Sequence, residues 1–525
     1  MPAKRDPDER EAALISVYDR TGVVELARAL VARGMPIYAT GGTHAHLRAH
    51  GVEAREVAEL TGFPSLFDGR VKTLHPSVFG GILADRNDAV HERERREHGV
   101  PRIGVVVVNL YPFEATVARG DVSLDEAIEQ IDIGGVALIR AAAKNFAHVS
   151  VLVDPSQYAL VAGDAAGAGL ETRRELATRA FERTAEYDSS IARYLESGQL
   201  AHELPGSLAL TVPIATSLRY GENPQTRAAF YLSRTDALPE QLGGKALSYN
   251  NLLDLDAALR LLVRAPVPEE FAAPGDDGIV RAAIVKHTIP CGVAQGPTTA
   301  AAVGSALDAD RISAFGGIVA VDACLDLATA EILSGVFLEI VAAPAFDDPA
   351  LALLRGKKNL RIIRYEPGLP SRLARELRVR SALGGVLAED DDPKAAPESW
   401  RAVGRRAPSR TEWRDLRFAW DVVRHVKSNG VVIARDGVTR GVCAGQTNRV
   451  DAVRIAAERA GEAARGAAAA SDGFFPFADG LEAAADAGCS AVIAPQGSIR
   501  DAEVIAAADA RGLALVFSTH RHFLH

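Results

Sequence analysis

The chain lacks the features that mark several large classes of protein. Its cysteines, Cys291, Cys324, Cys443 and Cys489, lie far apart, so there is no C-x-x-C pair and no disulfide framework. The first residues are polar and charged rather than apolar, and the longest apolar runs have only the length of a strand. These absences predict a cytoplasmic protein without a membrane span.

Common nucleotide and metal motifs are also missing. Neither a G-x-x-x-x-G-K-[ST] loop nor a G-x-G-x-x-G fingerprint occurs, which removes the usual signals of ATP hydrolysis and dinucleotide redox chemistry. Pro290 and Cys291 resemble the start of the zinc-deaminase P-C-x-x-C motif, but Ala294 stands where the second thiolate would be. We therefore expect no metal site, and the net charge of −9 gives no reason to expect a nucleic-acid partner.

Short apolar runs alternate with helical patterns in the first 155 residues. Runs such as "AALISVY" and "VVVVN" are separated by segments such as "VVELARALVARG", which favours a parallel sheet covered by helices. One long helix is predicted over 171–196, and the polar stretch "ESGQLAHELPGS" after it predicts a domain boundary. A chain of 525 residues is too long for a single core, so several domains are expected.

The second half contains an apparent internal duplication. "AAIVKH" (282–287) resembles "VVRHVKSN" (422–429), and "ISAFGGIVA" (312–320) resembles "SDGFFPFAD" (471–479). "EIVAAP", a helix and "LRIIR" have counterparts in "AVIAP", a helix and "LALVFS". These similarities predict two related α/β subdomains joined by the stretch 367–412, which is rich in proline and charge.

Polar clusters follow several of the predicted strands. "ATGGT" (39–43) can aim backbone N–H groups at an anion beside a helix N-terminus, although an ordinary glycine turn explains it as well. "DGRVKTLHP" (68–76) crowds an arginine, a lysine, a threonine and a histidine into one loop, which favours an anion or carbonyl site. "NLYPF" (109–113) ends the most apolar strand, where parallel sheets place their ligands.

Single residues in these clusters also have structural explanations. Tyr111 can be an aromatic at the edge of the core, Asp132 a helix cap and Lys144 a cation at a helix C-terminus. Lys286 and His287 end a buried strand pattern and precede a predicted turn at Pro290–Gly292. Two proton-carrying side chains at such a position favour acid–base chemistry.

An ordered set of motifs connects these clusters from residue 16 to residue 525. It includes "ATGGT", "TGFPSLFDGRVKTLHP", "IDIGGVALIRAAAKN", "LRYGENP", "VKHTIPCGVA", "AGQTNRVD", "FFPFADG" and "RHFLH". This set resembles the bifunctional family that joins phosphoribosylaminoimidazolecarboxamide formyltransferase to IMP cyclohydrolase.

The resemblance implies an α/β architecture in three parts. A methylglyoxal-synthase-like cyclohydrolase domain would occupy 1–205. A formyltransferase of two zinc-free cytidine-deaminase-like subdomains would occupy 206–380 and 381–525. The resemblance also implies 10-formyltetrahydrofolate as co-substrate, no required metal, and a homodimer whose transferase sites lie between subunits.

The resemblance further assigns site residues. For the cyclohydrolase, the substrate-binding residues would be Arg20, Thr40, Gly41, Gly42, Thr43, Arg70, Thr73, Asn109 and Gly134. Those around its reacting centre would be Lys72, Tyr111, Asp132 and Lys144. For the transferase, the catalytic residues would be Lys286, His287 and Asn429. The nucleotide would be bound by Arg219, Tyr220, Gly316, Arg449 and His525, and the folate would lie near Phe475, Pro476 and Asp479.

Some positions depart from the family's usual sequence. Gln225 stands where the family has the histidine of "NPHQ", and Ile289 replaces the asparagine of "KHTNPCG". Tyr18 and Arg20 turn "SVSDKTG" into "SVYDRTG". The alternatives are therefore a working cyclohydrolase with an impaired transferase, or a nucleotide-binding regulator without catalysis. A lyase for a small phosphosugar would leave the second half unexplained.

Overall fold

The protein divides into two compact units, Met1–Val212 and Pro213–His525. The structure is a computed structural model and describes residues 10–162, 168–197, 204, 206–232, 238–264, 278–390 and 399–525. Most of the stretch predicted as a domain boundary lies outside the described residues. Within the described ranges, no helix is long and apolar enough to cross a membrane.

Strands and helices alternate along the first unit. In chain order they are β1 (Glu11–Val17), α1 (Val23–Ala32), β2 (Ile37–Ala39), α2 (Gly41–Ala49), β3 (Arg55–Glu56), α3 (Val57–Thr61), α4 (Pro76–Leu83), α5 (Ala89–Glu97), β4 (Arg102–Asn109), α6 (Phe113–Val117), α7 (Leu124–Glu129), α8 (Gly134–Lys144), β5 (Ser150–Leu152), α9 (Tyr158–Ala162) and α10 (Leu170–Ser197). The strands form one parallel sheet in the order β3-β2-β1-β4-β5. The predicted parallel sheet and the long helix, α10, are thus confirmed.

The order of this sheet creates a ligand crevice. β1 and β4 are neighbours at the centre of the sheet. From β1 the chain continues to β2 on one side of this pair, whereas from β4 it continues to β5 on the other side. Ligands of such sheets bind where the order reverses, outside the carboxyl ends of the strands. The segments that follow Val17, Ala39 and Asn109 therefore share one edge.

The second unit is built on one large mixed sheet. Its elements are β6 (Ile214–Leu218), β7 (Ala228–Tyr231), β8 (Glu240–Gly243), α11 (Tyr249–Arg260), β9 (Val280–Lys286), β10 (Ile289–Gly296), α12 (Thr299–Ala309), α13 (Arg311–Ala314), β11 (Ile318–Val321), α14 (Leu327–Ser334), β12 (Ile340–Ala343), α15 (Asp348–Arg355), β13 (Arg361–Arg364), α16 (Leu369–Leu373), β14 (Arg378–Ala382), β15 (Gly385–Glu389), β16 (Trp400–Val403), α17 (Arg410–Val423), β17 (Val431–Arg435), β18 (Val438–Cys443), α18 (Arg449–Ala460), β19 (Ala468–Ser471), α19 (Asp479–Asp486), β20 (Ala491–Pro495), α20 (Asp501–Arg511) and β21 (Ala514–Ser518). Twelve strands lie in the order β16-β21-β20-β19-β17-β18-β10-β9-β11-β12-β13-β8, and two separate hairpins pair β6 with β7 and β14 with β15.

This large sheet is an internal repeat. The β18–β10 pair lies at the centre of the sheet, and the strands on its two sides correspond in order: β10, β9, β11, β12, β13 and β8 on one side match β18, β17, β19, β20, β21 and β16 on the other. The helices α11 and α17, α12 and α18, and α15 and α20 also occupy equivalent places. The close packing is repeated too. A Cβ added at Gly292 would lie 2.0 Å from the carbonyl oxygen of Ala306, and one at Gly441 would lie 2.0 Å from that of Ala456. The two halves therefore share a fold and the same glycine-dependent contact between strand and helix.

The structure corrects part of the predicted alignment of the repeats. "AAIVKH" is strand β9, whereas "VVRHVKSN" ends helix α17, so the true counterpart of β9 is "VVIAR" in β17. "ISAFGGIVA" leads into β11 while "SDGFFPFAD" follows β19, so that equivalence is wrong as well. The pairing of "EIVAAP" with "AVIAP" is confirmed by β12 and β20. The stretch 367–412 is not a simple connection, because it includes β16 of the second repeat; residues 391–398 lie outside the described part.

A buried ion pair joins the two repeats. Arg281 on β9 is 2% exposed, and its guanidinium lies 2.5 Å from the carboxylate of Asp421 on α17. The same guanidinium donates to the carbonyl oxygens of Leu261 and Val263, at 3.2 and 3.3 Å. Because both charges are buried, each depends on the other for its compensation.

Candidate active sites

A cavity of about 1100 Å³ opens at the crevice of the first unit. It is bounded by the segments after β1, β2 and β4, by the loop before α4 and by the start of α8. The predicted residues that line it are Arg20, Thr40, Gly42, Thr43, Arg70, Lys72, Thr73, Asn109, Tyr111, Asp132 and Gly134. Residues far apart in sequence thus surround one space large enough for a nucleotide.

One end of this cavity suits an anion. The helix α2 begins at Gly41, and within the described residues no side chain caps its first N–H groups. A Cβ at Gly42 would lie 3.0 Å from a guanidinium nitrogen of Arg20, so that cation sits over the helix N-terminus. Free N–H groups, the helix dipole and a guanidinium together favour a phosphate.

Lys72, Tyr111 and Asp132 lie close together in the cavity, and Lys72 also reaches the start of α2, because a Cβ added at Gly41 would lie 4.0 Å from its ammonium nitrogen. Asp132 accepts a hydrogen bond from the Gly135 N–H at 2.6 Å. Burial raises the pKa of Asp132, while hydrogen bonds from the backbone of Gly135 and Tyr111 and the charge of Lys72 oppose that shift. Burial and the charge of Asp132 raise the pKa of Tyr111, so its hydroxyl stays protonated and can donate a hydrogen bond.

In the second unit, Lys286 and His287 lie at the hairpin between β9 and β10. The Lys286 ammonium donates to the carbonyl oxygen of Phe315 at 2.8 Å, and His287 is exposed. The turn itself is His287–Thr288, because Lys286 pairs with Ile289 across it. The predicted turn at Pro290–Gly292 is therefore wrong: those residues belong to strand β10.

The loop after β6 lies beside helix α11. Arg219 donates to the Tyr220 hydroxyl at 3.0 Å and stacks 4.8 Å from the centre of its ring. Asn250, in the first turn of α11, donates to the carbonyl oxygen of Glu222 at 3.3 Å. This bond ties the loop that carries the predicted nucleotide ligands to the helix behind the His287 turn.

A second polar cluster lies just before β17. Asn429 accepts a hydrogen bond from Arg449 at 2.5 Å and donates one to the carbonyl oxygen of Gln446 at 2.9 Å. Arg449, which is 8% exposed, also bonds Ser471 and Asp472. Arg449 thus fixes the orientation of the Asn429 amide.

The C-terminal tail docks beside this second cluster. Ser428 donates its N–H to the carbonyl oxygen of Leu524 at 2.9 Å, and the N–H of Leu524 returns to the Ser428 hydroxyl at 3.2 Å. His522 donates its N–H to the Asp472 carbonyl at 2.9 Å. His525 remains exposed at the end of this tail.

Both clusters lie along the same edge of the large sheet. β18 runs antiparallel to β10, so the end of β9 at Lys286 and the start of β17 at Val431 face the same way. Three strand spacings separate these two positions, or about 14 Å. Lys286 and His287 are therefore well apart from Asn429 within one chain.

Comparisons with known proteins agree with this geometry. The family described as "AICARFT/IMPCHase bienzyme" matches residues 142–459, and the family described as "MGS-like domain" matches residues 22–137. The chain belongs to the AICARFT/IMPCHase bienzyme family. It therefore carries a transformylase and a cyclohydrolase activity, and its first unit is methylglyoxal-synthase-like.

Curated relatives match along almost their whole length. The bifunctional purine biosynthesis protein PurH of Jannaschia sp. (strain CCS1) is 47% identical over 542 residues, covering 99% of this chain and 100% of that protein. The protein of the same name from Parasynechococcus marenigrum is 49% identical over 522 residues, covering 98% and 99%. That from Bacillus cereus (strain B4264) is 45% identical over 525 residues, covering 98% and 100%.

Two residues predicted to bind the cyclohydrolase substrate have structural roles in this bienzyme. The side-chain oxygen of Asn109 accepts the N–H groups of Tyr18 and Asp19 at 2.6 and 2.9 Å. The hydroxyl of Thr43 accepts the N–H of Val17 at 3.0 Å and donates to its carbonyl oxygen at 3.1 Å. Both side chains therefore hold the loop after β1 in place.

Lys144, predicted at the reacting centre of the bienzyme's cyclohydrolase, lies away from the cavity within one chain. It is the last residue of α8, whose first residue, Gly134, lines the cavity. The two ends of such a helix are about 15 Å apart. Lys144 is exposed and is not among the described residues that line the cavity, so a single chain does not bring it to Asp132.

Phe475, predicted to lie near the folate on the bienzyme's transformylase side, is a buried residue. It is 4% exposed and belongs to the core of the second repeat, against Gly480 of α19. The neighbouring Phe474 and Phe477 are 38% and 51% exposed. Pro476 and Asp479 are also exposed. This loop therefore offers the aromatic rings of Phe474 and Phe477 to a ligand, whereas the ring of Phe475 is buried.

The sequence patterns missed two contributors to the bienzyme's cyclohydrolase cavity. Tyr187 on α10 accepts the N–H of Asp132 at 2.9 Å and donates to the Gln130 carbonyl at 2.6 Å. Glu129 lines the cavity and pairs with Arg70. Tyr187 carries no local signal because it sits in a long amphipathic helix, whereas Glu129 could have been found from its place beside "IDIGG".

Proposed function

We propose that this bienzyme catalyses the last two steps of IMP biosynthesis at separate sites, one in each unit. The second unit would transfer the formyl group of 10-formyltetrahydrofolate to the amine of the carboxamide ribonucleotide. The first unit would close the formylated product to IMP with loss of water. The observation that carries this proposal is the cavity of the first unit, which gathers an anion site and three proton-handling side chains. Cytoplasmic location and independence of a metal stay predictions from the sequence.

The cavity of the first unit suits the ring closure. The phosphate would lie on the N-terminus of α2 beneath Arg20. An amide nitrogen is a poor nucleophile, so orientation and stabilisation of the developing oxyanion would supply much of the rate. The protonated hydroxyl of Tyr111 and the ammonium of Lys72 are the donors for that oxyanion. Asp132 would take the proton from the attacking amide nitrogen. The C–O bond of the tetrahedral intermediate would then break, and the oxygen would leave as water with the proton held by Asp132 and the proton of the former formamide nitrogen.

The sheet edge of the second unit suits formyl transfer. The amine attacks the formyl carbon, a tetrahedral oxyanion forms, and the bond to the folate nitrogen breaks. His287 would accept the proton that the amine loses, and Lys286 would protonate the leaving folate nitrogen. The Asn429 amide, held by Arg449, would donate to the oxyanion.

The separation of about 14 Å along the sheet edge supports a site shared between two copies of the chain, because one formyl group cannot contact both clusters of a single chain. We therefore propose a homodimer in which His287 of one subunit faces Asn429 of its partner.

Equal mixing of His287→Ala and Asn429→Asp subunits should restore about a quarter of wild-type transfer, since half of the dimers would hold one intact site out of two. Asn429→Asp removes the donor but keeps an oxygen for Arg449. Activity at background level after subunit exchange would place the whole site within one chain.

The pH dependence of ring closure should report Asp132. Burial raises its pKa above the ordinary 3.8, so acidification should protonate this base, and lower kcat, at a higher pH than for an ordinary aspartate. Asp132→Asn should lower kcat about 100-fold and abolish the fall of kcat at acidic pH, which is the acid limb of the profile. Asp19→Asn is the matched control, because Asp19 also lines the cavity but the Thr21 N–H lowers its pKa. An unchanged acid limb in Asp132→Asn would assign the base elsewhere.

A direct assay tests the proposed reactions. Purified protein would be given the carboxamide ribonucleotide and 10-formyltetrahydrofolate, and IMP would be measured. IMP formation from both substrates is the expected result. If IMP appears only when the formylated intermediate is supplied, the transferase is impaired, as the changes at Ile289 and Gln225 allow. No IMP from either mixture would favour a nucleotide-binding regulator.

A further inference from the structure

The turn that carries His287 has an unfavourable backbone. His287 and Thr288 have φ angles of +55° and +61°, so two consecutive residues with a Cβ are left-handed. Two-residue hairpin turns of this kind normally use Asn-Gly or Asp-Gly, because glycine adopts positive φ without a steric cost. Something outside the turn must hold His287 and Thr288 in this conformation.

Asp254 on α11 supplies that support. Its carboxylate accepts the N–H of Thr288 at 2.6 Å and the N–H of His287 at 3.3 Å. Both N–H groups of the turn are thus bound by one side chain from another element. Burial raises the pKa of Asp254, whereas these two hydrogen bonds oppose the shift because they favour the charged carboxylate.

The second repeat contains the same arrangement without the catalytic side chain. The equivalent hairpin, between β17 and β18, turns at Asp436 and Gly437, with φ angles of +56° and +69°. Asp415, on the equivalent helix α17, accepts the Gly437 N–H at 3.3 Å. In both repeats, therefore, an aspartate on the preceding helix binds the backbone of the hairpin turn. Only in the first repeat does this turn lack glycine and carry a histidine.

We propose that Asp254 is a positioning residue for formyl transfer, which fixes the direction of the His287 imidazole by binding both N–H groups of its left-handed turn. This inference rests on the proposed role of His287. Asn250, one helical turn before Asp254, holds the loop of Arg219 and Tyr220, so α11 sets the spacing between this loop and the histidine. Asp254 would not touch the substrate.

The test is Asp254→Asn in the full-length enzyme. The carboxamide keeps the volume but presents an NH₂ group to one of the two backbone donors. We expect kcat for transfer to fall about 10- to 100-fold, as a small misplacement of a catalytic group does, while KM for the ribonucleotide changes less than about twofold. Cyclisation by the same protein should be unchanged. Asp254→Asn with Thr288→Gly should recover part of kcat, because glycine accepts positive φ unaided.

Two controls separate this inference from the proposed function. Asp256→Asn, two residues along α11, breaks an ion pair with Arg260 and should leave transfer unchanged. His287→Ala tests the proposed role itself. If His287→Ala abolishes transfer but Asp254→Asn keeps kcat within about twofold, the inference about Asp254 is wrong. A fall in kcat that Thr288→Gly does not relieve would also overturn it. If His287→Ala retains transfer, it is the proposed role of His287 that fails.

Discussion

Replacing His287 with alanine should lower the rate of formyl transfer about 1000-fold and leave the rate of cyclisation unchanged. The amine of the ribonucleotide must lose a proton as it attacks, and the exposed imidazole at the β9–β10 turn is the base proposed for that step. Lys286→Ala should have a similar effect, because the departing folate nitrogen would lack its proton donor. The two activities would be measured separately. Formyl transfer would be assayed with the ribonucleotide and the formyl donor, and cyclisation with the formylated intermediate.

The reciprocal variant provides the control. Lys72→Ala should impair cyclisation and leave formyl transfer at the wild-type rate, because Lys72 lines the cavity of the first unit. Loss of both activities in His287→Ala would contradict two independent sites. Equal loss in both variants would point to one shared centre.

Replacing Asp421 with alanine should destabilise the second unit by about 3 to 5 kcal/mol. The change leaves the guanidinium of Arg281 buried beside β9 without its carboxylate, and a buried uncompensated charge is more costly than the loss of an exposed pair. Urea unfolding would be followed by tryptophan fluorescence. All the tryptophans of the chain, Trp400, Trp413 and Trp420, lie in the second unit, so the signal reports that unit alone.

Two further variants separate charge burial from a general loss of packing. Arg281→Met combined with Asp421→Leu should be more stable than Asp421→Ala alone, because it removes both buried charges. Glu462→Ala breaks an ion pair whose side chains are 74% and 87% exposed, and should change stability by less than about 1 kcal/mol. Equal effects of Asp421→Ala and Glu462→Ala would mean that the buried pair contributes little.

Much of the fold could be predicted because apolar runs and helical patterns are local signals. β1, β4 and α10 lie where their patterns predicted them. The alignment of the two repeats was only partly predictable, because the similar letters of "AAIVKH" and "VVRHVKSN" belong to a strand and a helix end. The true equivalence rests on hydrogen-bonded order, and the repeats keep that order while their side chains differ.

The candidate sites show the same limit. Motifs identified the segments that surround the cavity, since three of them follow strands and the other two are dense in polar residues and glycine. They could not show that the Asn109 amide is occupied by the loop after β1, that Phe475 points into the core, or that a helix carries Lys144 away from the cavity. Those outcomes depend on the direction of a side chain and the length of an element. The role of Tyr187 depends on a contact between residues 55 positions apart, which no local pattern encodes.

The left-handed turn at His287 and Thr288 has a consequence for the history and engineering of the enzyme. After a duplication, one copy can keep a sequence that favours folding while the other acquires catalytic residues. The Asp436–Gly437 turn of the second repeat and the His287–Thr288 turn of the first repeat fit this pattern. A search for thermostable variants would select asparagine at 287 and glycine at 288, where turn preference favours them. Such variants would gain stability at the position where the proposed catalytic base is lost.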